Sequence, residues 1–104
     1  MKAITQAAWE EVHQKACDIA NAATADDDVM IEVHKARMFE ILDRLEVEFG
    51  IHPQTLSTRA DYSEDDQERR QLYEAALLLA REQGDEFEIS EIQESLRGLD
   101  QESK

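Results

Sequence analysis

The chain has 104 residues, room for one modest domain, and sets 25 acidic side chains against 11 basic ones for a net charge of −14. A field of that sign repels phosphate, which excludes nucleic acid and anionic membrane as direct partners and favours a basic protein surface. Apolar residues at 41% suffice for a core, while three Gly, one Pro and six aromatics are too few for a sandwich or barrel, so the expected fold class is all-α.

The charge is uneven. Residues 1–60 hold 6 basic and 11 acidic groups; residues 61–104 hold 5 and 14. Cys17 is the only cysteine and permits no internal disulfide. The opening MKAITQAAWEEVHQ lacks the pattern of a secretory signal, and the longest apolar run, residues 75–80, is far too short to span a bilayer, so a cytoplasmic location is the expectation.

In chain order, the first helix is expected over residues 5–23, with Thr5 as N-cap. Trp9, Val12, Ala16, Ile19 and Ala23 recur at spacings of three and four, which is one helix face. Asp26, Asp27 and Asp28 then suit a turn and the positive end of the next helix. That helix is expected over residues 27–49 on the stripe Ile31, Met38, Leu42, Leu45 and Phe49. Gly50 and Pro53 stop it, and Ile51 supplies an apolar contact at the cap. Residues 52–62 read as irregular, with Pro53 starting a single turn that points Leu56 inward.

Ser63 is the expected N-cap of the third helix, with Glu64, Asp65 and Asp66 in its first turn and Gly84 at its end. Asp85 and Glu88 have capping-box spacing for a fourth helix on Ile89, Ile92, Leu96 and Leu99. The expected architecture is a four-helix, repeat-like bundle of two helical hairpins. It forms a single domain over residues 1–99 with a frayed tail over 100–104. The expected core is Trp9, Val12, Ile31, Met38, Leu42, Leu72, Ala76, Leu79, Ile92 and Leu96.

The segment LYEAALLLAREQGDEFEISEIQESLRGL carries an aromatic, Tyr73, a small residue three positions on, Ala76, the turn Gly84-Asp85, and Leu96 near the end of the next helix. In these features it resembles the junction between two tetratricopeptide repeats, over about a quarter of the chain. It departs from that pattern at Arg97, where Gly usually follows the leucine, and helix lengths elsewhere keep no period of about 34 residues. The resemblance implies a helix-lined groove that grips a peptide or another helix.

Three constellations could carry chemistry. His13 and Cys17 share a helix face, and a fold-back near residue 25 brings His34 close, with Glu32 or Asp18 able to complete a tetrahedral zinc shell. Such sites ordinarily pair Cys or His at close spacing on loops, so no metal and no cofactor are expected. Glu40 and Asp43, with Glu10 and Glu11, have the spacing that helical nucleotide pyrophosphatases use for magnesium, yet an ordinary Glu40–Arg44 ion pair explains them as well. No Gly-rich phosphate loop and no Gly-x-Ser-x-Gly turn is present, and the chain is expected not to be an enzyme.

The acidic surface remains. Glu64, Asp65 and Asp66, together with Asp85, Glu86, Glu88, Glu91 and Glu94, are the expected partner-binding residues. They suit a small acidic protein–protein interaction domain, an inhibitor or immunity-type antagonist of a basic nucleic-acid-binding or toxin protein. The alternatives are a repeat-like adaptor that grips a peptide or helix in its groove, and a metal-dependent helical enzyme. The sequence leaves the oligomeric state open.

Overall fold

A computed structural model describes residues 2–102, and among these every regular element is a helix. In order they are α1 (Gln6–Thr24), α2 (Asp28–Phe49), α3 (Pro53–Tyr62), α4 (Asp66–Gln83) and α5 (Glu86–Glu102). The chain divides into two compact units, Met1–Gly50 and Ile51–Lys104. The first is a hairpin of α1 and α2. The second holds three helices, α3 packing on α4 and α4 on α5, so the expected four-helix count falls one short.

Thr5 caps α1 as expected, its hydroxyl accepting from the Ala8 N–H at 3.1 Å. The turn into α2 is a Schellman motif: Asp27 N–H donates to Ala22 C=O at 2.9 Å and Asp26 N–H to Ala23 C=O at 3.1 Å. Asp27 then turns its carboxylate forward to accept from the Met30 N–H and caps α2. Asp26 adopts the left-handed conformation, with φ +54°, which costs any side-chain-bearing residue more than Gly. Asp26→Gly is therefore expected to stabilise the chain by about 1 kcal/mol or less, read by denaturant unfolding. Asp26→Asn removes the same charge without the backbone freedom. If it stabilises equally, charge and not conformation is the cause.

The hairpin core is Val12, Ile19 and Ala22 of α1 against Met38, Leu42, Leu45 and Phe49 of α2, with the Lys2 ammonium over the Phe49 ring. Trp9 and Ile31, expected in this core, are only half-buried. Gly50 ends α2 with φ +86° and ψ 177°, a region essentially restricted to Gly. Ile51, the next residue, is 52% exposed.

The stretch expected to be irregular is the ten-residue α3. Pro53 occupies its first position, where a missing N–H is harmless. The Thr55 hydroxyl accepts from the His52 N–H at 3.3 Å and donates to the His52 C=O at 2.9 Å, closing the N-terminus. Leu56 packs inward as expected, beside the fully buried Thr55 and Ala60.

Because α3 runs to Tyr62, Ser63 becomes its C-cap, its N–H donating to the Ala60 C=O. Asp65, not Ser63, caps α4, accepting from the N–H groups of Gln67 and Glu68 at 2.9 and 3.3 Å. Gly84, φ +68°, ends α4 in a second Schellman motif. The second unit's core is Ala60, Tyr73, Ala76, Ala80, Ile92 and Leu99, with Leu56, Leu72, Leu77, Ile89 and Leu96 packed on it. Leu72 and Leu96 are thus half-buried supports, and Leu79 is half-exposed. The last helix does not stop at Leu99: it continues to Glu102, and Asp100 within it pairs with Arg70 of α4. Ser103 and Lys104 lie outside the described residues.

Candidate docking cleft between the third and fifth helices

The eight carboxylates expected to bind a partner separate into three groups. Asp65 and Asp85 are helix caps; the Asp85 carboxylate accepts from the Glu88 N–H at 3.1 Å and opens α5. Asp66 lies 3.6 Å from Arg69, while Glu64, Glu86 and Glu94 are exposed. Glu88 and Glu91 face a cavity. It is a cleft of about 270 Å³ between α3 and α5, lined by Ser57 and Asp61 on one side and Phe87, Glu88, Glu91, Ile92 and Ser95 on the other.

Helical spacing explains the α5 wall. Glu88, Glu91 and Ser95 recur at three and four residues, so they share one edge of the helix, beside the buried Ile92. From α3, Ser57 and Asp61 are four apart and share the facing edge. Phe87 stands at the rim, 70% exposed. Sequence reasoning missed Ser57, Asp61, Phe87 and Ser95. The first two lie in a helix it did not see, and Phe87 falls outside the apolar stripe of α5.

Two carboxyls of the cleft, Glu88 and Asp61, are disfavoured in their ionised form. Loss of water raises the pKa of Glu88, and the neighbouring Asp85 and Glu91 charges push it further the same way. Asp61 is likewise raised by loss of water, against the opposing pull of a hydrogen bond from the Tyr73 hydroxyl and the charge of Arg69. The Tyr73 phenol is raised by burial and then by Asp61.

A carboxyl with a pKa above its unfolded value binds its proton more tightly when folded. Its ionised form therefore costs stability; that cost is absent below the unfolded pKa, about 4, and is complete once the pH passes the folded value. Glu88→Gln is expected to match the unaltered chain in stability under acid and to become the more stable of the two as the pH climbs to neutrality. Denaturant unfolding across a pH series reads the difference. A gap that closes with rising pH would contradict the burial and repulsion assigned to Glu88.

The other constellations are not drawn together in this way. His13 Nε2 lies 3.9 Å from Cys17 Sγ, but His34 turns its Nδ1 towards Asp18, at 4.0 Å. Asp18 is bound by the Lys15 ammonium at 2.9 Å and by the Gln14 amide, and these bonds hold its carboxyl below the usual range. Among the described residues no group of three or more His, Cys, Asp or Glu side chains is placed to hold a metal ion. Arg44 does not pair with Glu40: its guanidinium reaches across the hairpin to Glu11. Among the described residues no helix is long and apolar enough to cross a membrane.

Compared with known proteins, the chain matches no family model, no curated protein and no solved structure.

Proposed function

We propose that this chain is a small acidic protein–protein interaction domain that docks a basic partner at the α3–α5 cleft, acting as an inhibitor or immunity-type antagonist of that partner. The observation that carries the reading is the cleft itself, where Asp61, Glu88 and Glu91 meet the exposed Phe87. Burial and the neighbouring Asp85 and Glu91 charges disfavour the ionised Glu88, burial disfavours the ionised Asp61, and a Lys or Arg head from a partner would relieve these costs. The Phe87 ring offers such a cation a second attraction through its π face. Two serine hydroxyls at the margins can accept from the remaining donors of a guanidinium or ammonium.

The surrounding charge extends the effect. Glu86 and Glu94 are exposed on the same helix, and the second unit carries most of the acidic excess, which would steer a basic surface towards α5. Nucleic acid and anionic membrane have no part in this reading.

Calorimetric titration of the full chain with a short Arg- and Lys-containing peptide tests it. Affinity is expected to fall steadily as salt is raised, because the Debye length shrinks from about 10 Å at 0.1 M to about 3 Å at 1 M. An uncharged or acidic peptide that binds as tightly, or binding indifferent to salt, would overturn the proposal.

A further inference from the structure

The α1–α2 hairpin leaves a second seam of α2 unused. Its inner seam, Met38, Leu42, Leu45 and Phe49, is buried against α1. On another face, Met30, Val33, Arg37, Glu40, Arg44 and Val47 recur at spacings of three, four, three, four and three, the a and d positions of a heptad pattern. All six are exposed, and Val47 keeps 89% of its surface open. Beside this seam runs a groove of about 760 Å³, walled on the α1 side by Glu11, Gln14 and Lys15.

The chemistry of the seam is ordered. Its apolar residues stand at the two ends, Met30 and Val33 at one and Val47 at the other, and its charges stand in the middle. Arg37 and Glu40 carry opposite charges three residues apart, and neither side chain makes an ion pair or hydrogen bond among the described residues. Arg44 is held in place by Glu11. A basic partner does not suit this face, because its centre carries two arginines against one glutamate.

We infer that this face binds a second copy of the chain, α2 lying antiparallel to α2 across a two-fold axis that passes between Met38 and Phe39. In that register Arg37 stands opposite Glu40 of the second copy, Val33 opposite Arg44, and Met30 opposite Val47, and symmetry repeats each pair. Every a position meets a d position, so the two seams interdigitate along their whole length. The central layers are two equivalent ion pairs, each an Arg37 facing a Glu40 of the other copy. The outer layers bury apolar surface, with the aliphatic stem of Arg44 lying over Val33. Moving the axis by half a heptad towards the C-terminus leaves Met30 with no opposite residue within α2, so the match at all six positions selects one register. The product is a four-helix assembly of two hairpins, which gives each two-helix layer the second layer that a core ordinarily requires.

Sedimentation equilibrium of the full chain over a concentration series tests the inference, with Arg37→Glu and Glu40→Arg as variants. The unaltered chain is expected to move from the mass of one chain towards two as concentration rises. Each single variant places like charges opposite each other in both central layers and is expected to associate about tenfold more weakly or worse. An equimolar mixture of the two variants restores both layers. Position 37 of the first variant, now acidic, meets position 40 of the second, now basic, while the retained Glu40 of the first meets the retained Arg37 of the second. The mixture is therefore expected to recover the association of the unaltered chain, which also shows that both variants are folded. A chain that stays at its monomer mass at every concentration overturns the inference. So do single variants that associate as well as the unaltered chain, and a mixture no more associated than its components.

Discussion

Reversing Glu88, Glu91 and Glu94 to Lys is expected to weaken binding of a basic partner or peptide by about 100-fold or more at low salt, with the fold intact by circular dichroism. Two of the three line the α3–α5 cleft, and the third is exposed farther along α5. The substitutions change the local charge by six units and convert the site that would receive a cation into one that repels it. Much of the loss is expected in the association rate, since steering acts before contact. An equal charge change on the first unit, Glu10, Glu32 and Glu48 to Lys, alters the net charge identically but not the cleft. It is expected to weaken binding far less. Equal losses from both triple variants would reduce the effect to net charge and remove the cleft from the account.

The second large effect belongs to the core. Leu42 is fully buried in the hairpin, packed with Met38 and Leu45, and truncation to Ala leaves a cavity that two helices have little means of closing. The expected cost is about 2–5 kcal/mol, a large share of the roughly 5–15 kcal/mol that holds a domain together, and a fall in melting temperature of roughly 10 °C or more. Leu79→Ala makes the informative comparison. Both leucines sit on the apolar stripe of a helix, but Leu79 remains partly open to water, so its truncation is expected to cost well under half as much. Equal costs would mean that exposure misjudges which leucines hold the fold.

How much of this was legible in the sequence follows from which residues do the packing. Long helices that bury large side chains announced themselves: Val12, Met38, Leu42 and Ile92 lie in the core as their spacing implied. Helix α3 did not, because what it buries is Pro53, Thr55 and Ala60, residues too small or too polar to mark a stripe. Missing α3 also misplaced the start of α4, since Ser63 resembles an N-cap only when no helix needs it as a C-cap. The same gap hid the cleft. Glu88 and Glu91 were visible as part of an acidic run, but Asp61 and Ser57 gain meaning only when α3 lines up beside α5. In the hairpin, spacing along one helix suggested Glu40 as the partner of Arg44, whereas the guanidinium takes Glu11, 33 residues away, a choice that depends on how two helices face each other.

The central claim is that the α3–α5 cleft receives a cationic side chain. Titrating the isotopically labelled full chain with a short Arg- and Lys-containing peptide, and following every backbone amide by nuclear magnetic resonance, tests it most directly. The largest shifts are expected to cluster at Ser57, Asp61, Phe87, Glu88, Glu91 and Ser95, and the Phe87 ring signals to move with them. Shifts spread evenly over all exposed carboxylates, or gathered on another face while the Phe87 ring stays unmoved, would contradict it.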